Sequence, residues 1–240
     1  MTKSLLWRGM LAGILAALVA TMFARVIAEP QIDLAIGYEH VHAAHHADTP
    51  ANGQEEELVS RATQKGAGLL TALALYGAAV GGIFALIFAY GYGRFGRIGP
   101  RSFALLLAGI AILLIVIVPG IKYPQTPPAV GQHDTVGLRT AAYFAMIALS
   151  VGGAVIAAKI RSALARSCRG IDAMLLAMAA YVAMVVLGQF LLPSVDEVPA
   201  DFPATLLWHF RLASIATQLV LWATIGIVFG LSAERVMIRR

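Results

Sequence analysis

The sequence has little charge and only one cysteine. Of its 240 residues, 13% are charged and 59% are hydrophobic, and the mean hydropathy is +0.78. Soluble domains carry about 25% charged residues, so this composition excludes a soluble enzyme and an extracellular domain, and it also excludes a disordered chain. The lone Cys168 excludes an internal disulfide framework and any CxxC metal or redox motif.

Motifs for catalysis and energy coupling are also missing. The sequence contains no Walker loop for ATP, no GxSxG nucleophile elbow and no HExxH zinc motif. No acidic residue lies in the middle of an apolar stretch, which argues against a relay of buried carboxylates for protons or sodium. An enzyme is therefore not expected. A site using His133 or His209 as acid or base would lack a neighbouring nucleophile or orienting group in the sequence.

Six long apolar stretches dominate what is present. A membrane-spanning helix needs about 20 mostly apolar residues, and stretches this long are not the alternating strands of a β-barrel. We therefore predict an all-α polytopic membrane bundle of about six transmembrane helices, forming a single integral membrane domain over residues 1–240. The predicted spans are residues 5–24, 67–90, 103–119, 141–158, 174–192 and 206–231.

The first of these stretches allows a second interpretation. Lys3 and Arg8 precede an apolar run that ends near residues 26–28, as in a signal peptide with a small-residue cleavage site. Cleavage would leave five spans. The length of the run, Arg25 within the cleavage region and the closely following Pro30 favour a retained helix.

The charges of the connections predict the orientation. Twelve basic and two acidic residues lie on one side of the predicted bundle, and six basic and eleven acidic residues lie on the other, so the sides carry +10 and −5. By the positive-inside rule both termini are cytoplasmic. The net charge of +5 and the pI of 9.6 therefore reflect topology, and no nucleic-acid partner is expected.

Small residues spaced four apart predict where helices approach closely. Such pairs occur at Gly9/Gly13, Gly77/Gly81 and Gly226/Gly230. They allow close contact between helix backbones in lipid. We interpret them as contacts within the bundle, with a dimer interface as the alternative.

The predicted outer side carries all six histidines and eleven of the thirteen acids. A long outer loop of about residues 28–65 joins the first two spans and contains the stretch EHVHAAHHAD at 39–48. If this stretch is helical, His42 and His46 lie four residues apart with Glu39 one turn before His42, and His42 with His45 is an alternative pair. Imidazole suits Zn, Ni, Cu and Co. The other interpretation is a solvated loop that happens to contain histidines.

Two sets of candidate metal ligands follow. In the first outer loop they are Glu39, His40, His42, His45, His46 and Asp48. At the later outer connections they are His133, Asp134, Asp196, Glu197 and His209, which we expect to form an inner vestibule. Basic residues such as Arg139 and Arg211 begin the spans that follow these connections, and we expect them to pair with outer acids and fix the hairpin ends.

Several stretches, nearly all on the predicted outer side, resemble the CbtA family of proposed bacterial cobalt transporter subunits. The resemblance covers nearly the whole chain. The matching stretches are FARVIAEPQID (23–33), EELVSR (56–61), QKGAG (64–68), KYP (122–124), PPAVG (127–131), VDEVP (195–199), FPATLLW (202–208) and FRLAS (210–214).

The resemblance implies a multi-pass protein of the bacterial inner membrane that moves cobalt inward, with a small single-span CbtB-like subunit as partner. Members are often described with five spans, against the six predicted here. The expected ligand is Co²⁺ or another divalent metal ion, with no covalently bound cofactor, and an oligomer in the bilayer is possible. The alternative function is a non-transporting membrane scaffold or a metal-sensing accessory subunit.

Overall fold

The computed structural model of the protein describes residues 2–45, 69–94, 98–127, 130–131 and 133–238. These residues form eight α-helices, a π-helical segment at Ile112–Ile117 and a 3₁₀ turn at His133–Thr135, without any strand. The α-helices are α1 (Thr2–Ile27), α2 (Glu29–His45), α3 (Leu69–Gly91), α4 (Pro100–Ala111), α5 (Val118–Lys122), α6 (Val136–Leu164), α7 (Gly170–Leu191) and α8 (Ala204–Ile238).

Within the described residues, six helical segments are long and apolar enough to cross a membrane, which confirms the predicted fold class. In hydrocarbon the backbone finds no water to bond, so a spanning segment satisfies its hydrogen bonds within a helix. The third segment joins α4, the π-helical segment and α5. The six segments are Thr2–Ile27, Thr71–Gly91, Pro100–Lys122, Val136–Leu164, Gly170–Leu191 and Ala204–Met237.

The helices belong to two compact units. The first unit comprises Met1–Ile110 and Trp208–Arg240, and the second comprises Ala111–Leu207. In the first unit α1 packs along α3, and in the second unit α6 packs along α7. A single membrane domain over residues 1–240 stays a prediction.

Helices α1 and α3 meet backbone to backbone through their glycines. A methyl group added at Gly13 would lie 1.9 Å from the carbonyl oxygen of Gly77, and one added at Gly81 would lie 2.0 Å from that of Gly9. No side chain larger than hydrogen fits at these distances. The prediction that both glycine pairs pack within the bundle is confirmed.

The third glycine pair, on α8, packs against α4. A methyl group added at Gly226 would lie 2.9 Å from Cβ of Ala108, and one added at Gly230 would lie 3.2 Å from Cβ of Ala104. Phe229 of α8 also packs edge-on against Phe88 of α3, with 5.0 Å between the ring centroids. The buried face of α8 therefore combines glycines with an aromatic ring.

The third span changes helical register just before its proline. The backbone N–H of Val118 donates to the carbonyl of Leu113, five residues back, as in a π-helix. Pro119 has no N–H, so the carbonyl of Ile115 loses its ordinary α-helical donor. The phenol of Tyr143 on α6 donates to that carbonyl at 3.4 Å. A side chain from the neighbouring helix thus partly replaces the bond that proline removes.

Candidate functional site

The histidine-bearing stretch begins as a helix. Helix α2 starts one residue after α1, and the N–H groups of Gln31 and Ile32 each donate to the carbonyl of Ala28 at 3.1 Å. Pro30 fits at this start because the first turn of a helix does not use its N–H groups internally. The first part of the predicted outer loop is therefore helical to His45 rather than irregular.

The helical backbone spaces three candidate ligands regularly. Glu39, His42 and His45 follow one another at intervals of three residues, slightly less than one turn. The side chains from Glu39 to His45, and the whole of His46 and Asp48, lie outside the described part of the chain. The metal role of all six residues stays a prediction. They are Glu39, His40, His42, His45, His46 and Asp48.

Two of the later candidate carboxylates are exposed at one end of the second unit. Asp134 lies in the 3₁₀ turn before α6, and Asp196 lies in the segment between α7 and α8. The Oδ1 atom of Asp196 accepts a hydrogen bond from the N–H of Val198 at 3.4 Å, and its other oxygen has no such bond within the described residues. His133 begins the same 3₁₀ turn, and its side chain is outside the described set.

Glu197 is engaged by two donors. Its Oε2 atom accepts a hydrogen bond from Nη1 of Arg139 at 2.5 Å, and its Oε1 atom accepts one from the hydroxyl of Thr135. The Glu197 side chain is only 5% exposed, whereas that of Arg139 is 34% exposed. The predicted pairing of a span-entrance base with an acid of a connection is confirmed for Arg139 and Glu197. Their place on the outer side stays a prediction. Both carboxylate oxygens are occupied by this chain's own groups.

Gly131 lies against the ion pair. A methyl group added at Gly131 would lie 3.1 Å from Nη1 of Arg139 and 3.5 Å from Oε2 of Glu197. The preceding Val130 is buried, and its N–H donates to the carbonyl of Pro127 at 3.0 Å. The backbone at Gly131 therefore lies close to the guanidinium, and a residue without a side chain fits best there.

Two more side chains connect the same segments. Nζ of Lys122 donates to the carbonyl of Gln189 at 2.5 Å, and the phenol of Tyr123 donates to the carbonyl of Pro193 at 2.7 Å. Burial raises the pKa of the Tyr123 phenol above its usual value, because a phenolate would be desolvated there. The hydroxyl therefore stays a donor at physiological pH. Together with the Arg139–Glu197 pair, these bonds link the end of α5 and the start of α6 to the end of α7 and the segment that follows it.

The described side chains do not form a metal site by themselves. His209 is exposed in the second turn of α8, in the first unit. Among the side chains that the structure describes, no group of three or more His, Cys, Asp or Glu residues could hold a metal ion. A tightly held divalent metal usually takes three or four protein ligands. The metal role of His133, Asp134, Asp196, Glu197 and His209 stays a prediction.

Sequence reasoning missed two members of the cluster around Glu197. Thr135 was not a candidate, and Gly131 was noted only within the PPAVG stretch of the family resemblance, because neither residue type signals metal chemistry. A usable signal was present for Thr135, which precedes Arg139 by four residues, so both side chains lie on the same face at the start of α6. Gly131 carried no comparable signal, because its close contact depends on a residue distant in sequence.

In the part of the chain that the structure describes, six apolar helices with closely packed glycines define a polytopic α-helical membrane protein. The chain matches the family model described as "Probable cobalt transporter subunit (CbtA)" over residues 2–234, and it belongs to that family. No curated protein and no solved structure matches it.

Proposed function

We propose that this chain is the membrane subunit through which a bacterial inner-membrane system takes up cobalt. The observation that supports this most directly is the match to the cobalt transporter subunit family over residues 2–234. The six apolar helices fit the proposal because a charged cargo needs a protein-lined route through lipid. Co²⁺ is the cargo, and other divalent ions are competitors. An enzymatic role has no comparable support.

The first step in this proposal is capture at the outer histidines. His40, His42, His45 and His46 would ligate the ion, with Glu39 and Asp48 as carboxylate neighbours. The helical backbone to His45 supports this, because residues three apart on a helix are close enough to share one ion. Imidazole nitrogen suits Co²⁺ and also Ni²⁺ and Zn²⁺, so selectivity has to come from the geometry of the set.

The second step is attraction of the ion by the later outer acids. Asp134 and Asp196 are exposed and would contribute negative potential near the second unit. His133 would add a ligand beside Asp134, and His209 would contribute a ligand on α8. Glu197 joins this set only if a cation displaces Arg139 and Thr135 from its oxygens.

Energy for uptake would come from outside this chain. The sequence has neither an ATP-binding loop nor a mid-span carboxylate that could couple uptake to protons. The family description names a subunit, which implies partner subunits. We propose a small single-span CbtB-like protein as that partner, within the bilayer and without nucleic acid, and self-association into an oligomer is compatible with this arrangement.

Uptake of radioactive cobalt by cells with and without the chain tests the proposal. We expect expression with its partner to raise uptake at limiting cobalt, with competition by excess nickel and zinc reporting selectivity. Changing the four clustered histidines to alanine should raise the half-saturating cobalt concentration several-fold. Equal uptake with and without the chain would reject transport, and unchanged uptake in the histidine variant would reject capture.

A matched control separates ligation from electrostatic attraction. Changing Glu55, Glu56 and Glu57 to glutamine leaves every histidine but removes three charges from the same loop. We expect this variant to lose uptake only at low ionic strength, because attraction between exposed charges is screened by salt. The histidine variant should lose uptake at any ionic strength.

The second candidate function is a scaffold or metal-sensing subunit that binds without transporting. The missing energy-coupling residues favour it over a self-sufficient transporter. Reconstitution of the purified chain in liposomes with a cobalt indicator inside distinguishes the two. Influx from the chain alone would reject the scaffold. Influx only when the partner subunit is added would assign the chain a role in a complex.

A further inference from the structure

Four basic side chains are concentrated where α6 turns into α7. Lys159 and Arg161 lie near the end of α6, and Arg166 and Arg169 lie in the connection, which we call the α6–α7 basic turn. All four are exposed. The nearby Asp172 is exposed as well, so the stretch 159–172 carries a net charge of +3.

The helix end does not use these charges. The carbonyl of Arg161 accepts the N–H of Ala165 at 2.9 Å, and the carbonyl of Leu164 accepts the N–H groups of Ser167 and Cys168 at 3.0 and 2.8 Å. Backbone donors therefore satisfy the end of α6. Within the described residues none of the four basic side chains has an ion-pair partner. Their charge is available to an external anion.

The surface next to the turn is apolar and exposed. Val155 and Ile156 on α6 are 53% and 48% exposed, and Ile171, Met174 and Leu175 on α7 are 68%, 54% and 56% exposed. These residues belong to the two membrane-spanning segments. The basic turn therefore lies at the edge of an apolar surface, where lipid headgroups meet acyl chains.

We propose that the α6–α7 basic turn binds the phosphate headgroups of anionic phospholipids. The positive-inside rule accounts for the positive charge on the predicted cytoplasmic side. What indicates a ligand is that four exposed cations, without ion-pair partners in the described chain, lie next to an apolar surface. A lipid satisfies both features, because its phosphate meets the cations while its acyl chains cover the apolar residues. This inference goes beyond the proposed function and stands whether or not the chain moves cobalt.

Counting bound lipids by native mass spectrometry tests the proposal. The purified chain is exposed to phosphatidylglycerol or phosphatidylcholine in detergent, and we expect selective retention of phosphatidylglycerol. Changing all four basic residues of the turn to glutamine should weaken that retention by roughly tenfold or more, and added salt should weaken it in the native chain. Equal retention of the two lipids by the native chain would overturn the proposal.

A control variant tests whether the effect is local. Arg94, Arg101 and Arg235 are exposed basic residues of the first unit, on the same predicted side. Changing these three to glutamine should leave most of the selective retention intact. A loss as large as that of the four-residue variant would show a general charge effect and reject the basic turn as the site.

Cys168 provides a measurement that needs no variant. It is the one cysteine of the sequence, it is exposed, and it lies within the basic turn. A fluorophore attached to it in vesicles should be quenched more by spin-labelled phosphatidylglycerol than by spin-labelled phosphatidylcholine at the same mole fraction. Equal quenching would contradict the proposal. Relief of the difference by millimolar glycerol phosphate would indicate a site for soluble phosphate and overturn the assignment to lipid.

Discussion

Removing the two partners of the Arg139–Glu197 ion pair one at a time should destabilise the chain unequally. The Glu197 side chain is 5% exposed and that of Arg139 is 34% exposed. Arg139→Gln leaves a carboxylate that water hardly reaches, and among the described residues the Thr135 hydroxyl is its one remaining donor. Glu197→Gln leaves a guanidinium that water can hydrate. The loss of the base is therefore expected to cost more than the loss of the acid.

The exposure of the remaining charge sets the size of each effect. Breaking a buried pair from one side costs about 3–5 kcal/mol, and because Thr135 still donates to the carboxylate we expect about 2–3 kcal/mol for Arg139→Gln. Exposed pairs contribute about 0–1 kcal/mol, so Glu197→Gln should cost about 1 kcal/mol. At about 2–4 °C per kcal/mol for a chain of this length, Tm should fall by about 4–12 °C and about 2–4 °C, respectively.

Heating the purified variants in detergent, followed by size-exclusion chromatography of the remaining monodisperse protein, measures these differences. The double variant Arg139→Gln/Glu197→Gln should be more stable than Arg139→Gln alone, since it removes the unpaired carboxylate. Arg169→Gln, at an exposed position without an ion pair in the described chain, is the matched control and should leave Tm unchanged. If Glu197→Gln destabilises as much as Arg139→Gln or more, the reasoning from exposure is wrong.

Three further predictions concern single positions. Gly81→Ala should lower Tm strongly or abolish folding, because the new methyl group would meet a backbone carbonyl at 2.0 Å. Gly109→Ala should do neither, because Gly109 has open space around it. Heat-induced loss of the monodisperse peak compares the two variants. Gly131→Ala should lower Tm by a few degrees, because the new methyl group would displace the neighbouring guanidinium. Gly137→Ala is the control, since nothing lies within 4 Å of that position, and an equal effect of it would contradict this. The pKa of Tyr123 is raised in the folded chain, so the unfolded chain loses the phenolic proton at lower pH. The protonated phenol therefore contributes fully to stability below about pH 10, and this contribution is lost as the pH rises further. A Tm that falls from pH 9 to 11 equally in Tyr123→Phe would refute this.

The membrane fold was predictable because lipid offers the backbone no hydrogen-bond partners. A helix is the structure that satisfies a spanning backbone locally, so length and apolarity sufficed to identify the six spans. The spacing of Gly9 with Gly13 and of Gly77 with Gly81 was equally readable, since close helix contact requires small residues. Which helix packs against each glycine pair could not be predicted, because many helices could have been its neighbour.

The details at the predicted outer connections were harder to predict. That Arg139 would pair with an acid of a connection followed from its place at a span entrance, but the choice of Glu197 over Asp196 depends on which side chain is buried. The π-helical segment was not expected either. Pro119 ends the predicted third span, but the compensating bond from Tyr143 requires knowledge of the neighbouring helix. Contacts between distant residues lie beyond single-sequence patterns.

The π-helical segment at Ile112–Ile117 has a consequence for how the third span tolerates changes in length. Each of its turns closes with one more residue than an α-helical turn. Deleting a single residue there would allow the segment to relax to ordinary α-helix while the faces before and after it keep their present neighbours. The same deletion in α6 would rotate every later residue by about 100° around the axis and turn buried side chains toward lipid. The third span should therefore tolerate a one-residue deletion within this segment.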